Sequence, residues 1–140
     1  MTATLDPATP SGAHALERFA TERIGWLTTV NADGQPQSSP LWFLWTGDEI
    51  FVYSGTNAPR NKNIAANSRV SFNLHTNAGG GDVISMEGTA RIDPDGPLCS
   101  QHPAYLEKYG PALEGSGGPA YMDRYYPVAV RITPTRWRVG

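Results

Sequence analysis

Residues Ile24–Ser54 read IGWLTTVNADGQPQSSPLWFLWTGDEIFVYS, and the punctuation of this stretch decides the fold. Three β-rich runs, Ile24–Val30, Gln35–Trp45 and Ile50–Ser54, are separated by NADG and TGDE. Asn, Asp and Gly tolerate positive φ, so the first break suits a tight hairpin and the second turns the chain again. Runs joined at this spacing predict an antiparallel meander.

Working outward, Met1–Ser11 is rich in Thr, Pro and Ala and reads as a loose lead-in. From Gly12 to Arg23 the residues Ala13, Leu16, Phe19 and Ala20 fall at helical spacing, which predicts a short amphipathic helix. On the other side, Arg69–His75 puts Val70, Phe72 and Leu74 on one strand face. TNAGGGD then leads into Val83–Asp93, where Ile84, Met86, Gly88, Ala90 and Ile92 alternate with more polar positions, the pattern of a half-buried strand. The segment Leu98–Tyr126 is helical in parts, with Tyr105, Leu106 and Tyr109 on one stripe and PAYMDRYY as a second short helix. Val128–Val139 is the last strand, and Pro134 marks a bend or an edge there. The expected architecture is mainly β: one domain over residues 12–140, a six-stranded antiparallel barrel with a few short helices. Closure removes exposed strand edges, which favours a barrel over a sandwich.

The bulk numbers narrow the function. At 140 residues and a net charge of −2, the chain lacks the basic footprint of a nucleic-acid binder. The N-terminus carries no basic segment followed by an apolar one, and no apolar run approaches a membrane span. Cys99 is the lone cysteine and belongs to no metal or redox pattern. The expected compartment is the cytoplasm. His14, His75 and His102 lack ligand-like spacing, so no metal site is expected. No G-x-S-x-G elbow occurs, and nothing points to covalent catalysis.

Two stretches remain as site candidates. In NAPRNKNIAAN (residues 57–67), Asn57 suits a helix N-cap, Pro59 a first turn, and Asn67 a left-handed helix end. A helix starting near Pro59 or Arg60 would direct backbone N–H groups, with Arg60 and Lys62, at one anion such as a cofactor phosphate. Positions two apart diverge by about 200° on a regular helix, so both grip one anion only from the loop and first turn. Two solvated charges on a surface turn are the alternative. In SSPLWFLW (residues 38–45), Trp42 and Leu44 share one face, and Leu41, Phe43 and Trp45 the other. A barrel interior covers one face; a partner subunit, a helix or a flat ligand must cover the second.

Taken together, WLTTVNADGQPQSSPLWFLWTGDEIFVYS, then R-x-K-N-I-x-x-N-x-R-V-S-F, then GGGDVISMEGTARI, resemble the pyridoxamine-phosphate-oxidase-like split β-barrel family. The likeness runs from Leu16 to Ile92, resumes at the last strand, and leans to the actinobacterial branch of coenzyme F420-dependent oxidoreductases. The resemblance implies a homodimer with cofactor sites at the subunit interface, and hydride transfer to a small organic acceptor. It places the cofactor phosphate at Arg60 and Lys62, followed by Asn63, and the ring along Ser38, Ser39, Pro40, Leu41 and Trp42. Ser54, Gly55 and Thr56 would approach the linking chain, and Asn77 would lie in a loop facing the partner. FMN is the alternative cofactor, and a non-catalytic flavin, deazaflavin or haem carrier the alternative role. No proton donor stands out among Tyr53, His75 and Ser39.

Overall fold

The computed structural model of the chain describes residues 2–140. Both turns form as their chemistry predicts. The Asn31 N–H donates to the Gln35 carbonyl at 3.0 Å with Gly34 at φ +83°, and the Thr46 N–H donates to the Glu49 carbonyl at 2.9 Å with Gly47 at φ +108°. The Asn31 side chain also accepts from the backbone N–H groups of Asp33 and Gln35, both at 3.0 Å, which fixes the first turn from inside.

Seven strands make one antiparallel sheet: β1 (Gly25–Val30), β2 (Pro36–Leu41), β3 (Leu44–Trp45), β4 (Ile50–Ser54), β5 (Arg69–Asn73), β6 (Ile84–Asp93) and β7 (Val128–Val139). Their spatial order is β2-β1-β5-β6-β7-β4-β3. Four helices complete the chain: α1 (Pro10–Thr21), α2 (Pro59–Ala66), α3 (Pro103–Leu113) and α4 (Pro119–Tyr125). The expected six strands become seven because Gln35–Trp45 is not one strand. Its first part pairs with β1 and its last two residues pair with β4. The chain therefore leaves one edge of the sheet at Leu41 and joins the opposite edge at Leu44, so the sheet curls into a barrel split at Trp42–Phe43. A run that is apolar on both faces carries no periodic mark of such a change of partner.

The barrel interior holds Leu27, Phe43, Val52, Phe72, Met86 and Ile132 among others, with Phe19 of α1 as its plug. Phe19 meets Phe43 edge-on at 5.7 Å and Trp137 at 5.4 Å. Burying one such ring contributes about 1.5–3 kcal/mol. The helix turns Gly12, Ala15 and Phe19 inward, whereas Ala13 and Ala20, expected on that face, are exposed. Its start is set by Thr9, whose hydroxyl accepts from the Gly12 N–H at 3.0 Å. A Cβ at Gly12 would come within 1.9 Å of the Asp6 carbonyl, so only glycine fits that approach. The segment expected as a loose lead-in lies along β7 instead: the Ala3 N–H donates to the Pro134 carbonyl at 2.8 Å, and Trp137 Nε1 donates to the Ala3 carbonyl at 3.2 Å. Pro134 sits opposite Gly88, where the β6–β7 register shifts, so the expected bend is a bulge in an interior strand.

β4 is buried at all five positions. Ile50 and Val52 face the barrel, while Phe51 and Tyr53 face a second cluster with Cys99, Tyr105, Tyr109, Leu113 and Met122. The segment Leu98–Tyr126 is thus an outer layer over β4, and it creates the site. No helix among the described residues is long and apolar enough to cross a membrane.

Candidate functional site

Helix α2 begins at Pro59 with Ala58 as N-cap, and no side chain caps it. Asn57, expected as the cap, lies one residue too early because Pro59, with its fixed φ, takes the first helical position. Asn67 ends the helix extended, at φ −144° and ψ 108°, rather than left-handed. Its side chain accepts from the Arg69 N–H at 3.1 Å and feeds the chain straight into β5.

The helix turns Arg60, Asn63 and Ile64 toward the sheet. Arg60 Nη2 donates to Ser39 Oγ at 3.0 Å and Nη1 to Ser54 Oγ at 3.3 Å. Asn63 Nδ2 donates to Thr29 Oγ1 and to Gln37 Oε1, both at 2.9 Å. Asn61 Nδ2 holds the turn before the helix through the Gly55 carbonyl at 2.8 Å, while its Oδ1 is buried without a partner among the described residues. Lys62 points the other way, as about 200° of rotation from Arg60 requires. It is exposed and forms no ion pair among the described residues.

Two cavities meet at Arg60. The smaller, about 250 Å³, is lined by Thr29, Gln37, Ser38, Ser39, Pro59 and Asn63, a polar recess under α2. The larger, about 430 Å³, has Pro40, Leu41 and Trp42 on one side, and Tyr53, Tyr105 and Leu113 among its other walls. Ligand pockets run from about 300 to 1,000 Å³, so the larger cleft is of binding size. Arg60 is the one formally charged residue on either lining. Burial lowers its pKa, and Tyr126 is the one opposing influence. A guanidinium nevertheless stays charged at any working pH. Its partners here are two hydroxyls and no carboxylate, so the cleft holds a partly desolvated cation whose charge the chain leaves unmatched.

The aromatic wall is fastened at the barrel split. Trp42 stacks on Tyr109 with centroids 4.5 Å apart and planes 7° from parallel. The Tyr109 hydroxyl accepts from the Phe43 N–H at 2.9 Å and donates to the Arg23 carbonyl at 2.7 Å. Burial pushes this phenol up to about 12. Lys108 Nζ lies 3.8 Å from the Phe43 ring centroid and donates to the Phe43 carbonyl at 2.9 Å; burial lowers it to about 8. Helix α3 is therefore the cover of the second apolar face of SSPLWFLW, so that face is no argument for a partner subunit.

Of the residues singled out in the sequence, Ser38, Ser39, Pro40, Leu41, Trp42, Arg60 and Asn63 line the cavities. Ser54 is buried behind Arg60, and Gly55 and Thr56 form the turn that Asn61 holds. Lys62 and Asn77 line neither cavity. Asn77 organises its own loop, its Oδ1 accepting from the Gly79 and Gly81 N–H groups at 3.0 and 2.8 Å. That loop is tied to α1 through Arg18, which donates to the Asp82 carbonyl at 2.8 Å. Among the conceivable proton donors, Tyr53 is committed to the Pro97 carbonyl at 2.7 Å, and His75 is exposed and bonded to Trp26 Nε1 at 3.0 Å. The larger cleft also contains residues that sequence reasoning passed over: Tyr105, Leu113, Tyr121, Met122 and Tyr126. Their helical spacing reads equally well as ordinary core.

The sequence profile of pyridoxamine 5'-phosphate oxidase matches residues 12–139. Among solved structures, a conserved hypothetical protein from Mycobacterium tuberculosis is 26% identical, with 98% of this chain and 88% of that chain covered at a TM-score of 0.74. An F420 reductase is also 26% identical, over 86% of this chain and 94% of its own, at a TM-score of 0.65. HutZ, the haem storage protein from Vibrio cholerae, shares the fold at 20% identity, with 98% of this chain and 95% of that chain covered and a TM-score of 0.68. No curated protein matches the chain.

Proposed function

Because the chain belongs to the pyridoxamine 5'-phosphate oxidase family, we propose that it is an oxidoreductase that binds the deazaflavin coenzyme F420 and reduces a small organic acceptor. The observation that carries this reading is Arg60: a half-buried cation, without a carboxylate, at the junction of a polar recess and an aromatic cleft. Such a junction suits a ligand with an anionic group at one end and a flat ring at the other. The similarity to an F420 reductase favours the deazaflavin over FMN.

When bound, the cofactor supplies a hydride; the chain supplies binding and orientation. Arg60, with Ser39 and Ser54 beside it, holds the anionic group by charge-assisted hydrogen bonds. The stretch from Ser38 to Trp42 presents its backbone and one apolar wall to the ring. The covering helices keep water from the reacting atoms. In this proposal two copies pair with a site at each junction, and the loop of Asn77 completes the site of the other copy.

Titration of the purified protein with F420 and, separately, with FMN, followed by cofactor absorbance and fluorescence, tests the reading. Saturable binding of F420 with weaker binding of FMN is expected. Preference for FMN would make this a flavin enzyme, and tight binding without oxidation of reduced F420 by any acceptor would make it a carrier.

A further inference from the structure

Helix α3 starts on a histidine. His102 stands at its N-cap, and the imidazole Nδ1 accepts from the Tyr105 N–H at 3.4 Å. The His102 carbonyl accepts from the Leu106 N–H at 3.0 Å, so the first turn hangs on this residue through side chain and backbone. Only a neutral ring with its proton on Nε2 has the lone pair at Nδ1 that the cap needs. The surroundings oppose a charge there. The first turn of α3 contains no acidic residue, and a cation at a helix N-terminus meets the positive end of the helix dipole. The ring packs almost perpendicular to Phe51 of β4, with centroids 4.9 Å apart, and the Arg131 guanidinium of β7 lies 4.9 Å from the same Phe51 centroid. Burial first, and then Arg131, lowers the His102 pKa below the ordinary 6.5.

We propose that His102 is an acid-released latch: as a neutral imidazole it caps α3 and holds the aromatic wall of the larger cleft, and its protonation frees the first turn of α3 and loosens that wall. The helix is placed to transmit the change. Tyr105, in its first turn, and Leu113, at its end, line the cleft, and Tyr109 between them stacks on Trp42. No neighbouring group supplies a counter-charge. Cys99, just before the helix, is pushed up to about 11, and Tyr53 and Tyr105 are held above the usual tyrosine range. Asp93 and Glu49 are paired with Arg131, and Asp123 of α4 accepts from the Ser100 N–H at 3.0 Å. No carboxylate pairs with His102 among the described residues. A histidine whose folded-state pKa is depressed lends stability that is fully present above its unfolded value, about 6.5, and is lost as pH falls through the folded one.

The latch acts whatever the cleft holds, so the test uses the full chain without any cofactor. The His102 ring signals, the Tyr105 and Leu106 amides and the Trp42 indole are followed by NMR from about pH 7.5 to about pH 4.5. In the wild type the amides and the indole are expected to shift together with the imidazole, at one shared midpoint below 6.5. His102→Asn keeps an acceptor at the cap that does not titrate. It should hold the melting temperature at neutral pH and remove the shared midpoint from the amides and the indole. Amides that ignore the imidazole, a Trp42 indole that ignores it, or a response that survives in His102→Asn would each overturn the proposal. The wild-type titration decides the matter even where the variant fails to fold.

Discussion

Arg60 and Arg131 are both half-buried, and the structure treats them in opposite ways. Arg131, on β7, is held between strands: Nη1 meets Glu49 Oε1 at 2.6 Å and Nε meets Asp93 Oδ2 at 2.7 Å. Its guanidinium also lies 4.9 Å from the Phe51 ring centroid. Its hydrogen bonds to Asp93 and Glu49 raise its pKa. Arg60, on α2, has two serine hydroxyls, no acid, and a pKa lowered by burial. The contrast separates a cation that the fold uses to tie β7 to β6 and to the turn before β4 from one that it leaves available. α2 itself, PRNKNIAA, contains no acidic residue that could satisfy Arg60 locally.

Removing each charge in turn separates the two roles. Arg60→Leu is expected to weaken F420 binding about 100-fold, since two charge-assisted contacts of about 1.5 kcal/mol each are lost. Its melting temperature should hold or rise, because an unmatched, partly desolvated charge is gone. A loss of stability comparable to the loss of affinity would mean that Arg60 is structural after all. Arg131→Leu should do the reverse, costing about 1–2 kcal/mol in denaturant unfolding while leaving cofactor affinity alone.

Acid sharpens the second half of that expectation. Asp93 has its pKa lowered below the ordinary 3.8, chiefly by its hydrogen bond from Arg131. A carboxylate depressed in the folded state lends stability that is fully present above its unfolded pKa and is lost as pH falls through the folded value. Melting temperatures should therefore drop more steeply below about pH 4 in the wild type than in Arg131→Leu. The smallest effect is expected for Lys62→Ala. An exposed charge on the far side of the helix is screened by salt, so F420 affinity should change by less than about twofold. A tenfold loss would show that this face meets the ligand in the assembled protein.

How far the sequence reveals this arrangement varies along the chain. NADG and TGDE specify their turns through residues that accept positive φ, so the meander is legible. The strict alternation of Ile84, Met86, Gly88 and Ala90 marks β6 equally well. PLWFLW is different: being apolar on both faces, it gives no sign that Leu41 and Leu44 pair with opposite edges of the sheet. The divergence of positions two apart on a helix does foretell that Arg60 and Lys62 cannot share one direction once Pro59 starts the helix. The tyrosine wall is the least legible part. Tyr105 and Tyr109 fall one helical turn apart, as core residues do, and nothing in that spacing says that Tyr105 lines the cleft while Tyr109 fastens the barrel split.

The split at Trp42–Phe43 leaves β2 with a free edge, and its prolines determine what that edge can do. Pro36 and Pro40 have no N–H, and they alternate with the positions that donate to β1. On the outward-facing set 36, 38 and 40, only Ser38 retains a donor. A strand from another molecule would find carbonyl acceptors there and almost nothing to accept from, so the edge is a poor template for aggregation. The opening that exposes the site thus carries its own protection against unwanted β-pairing.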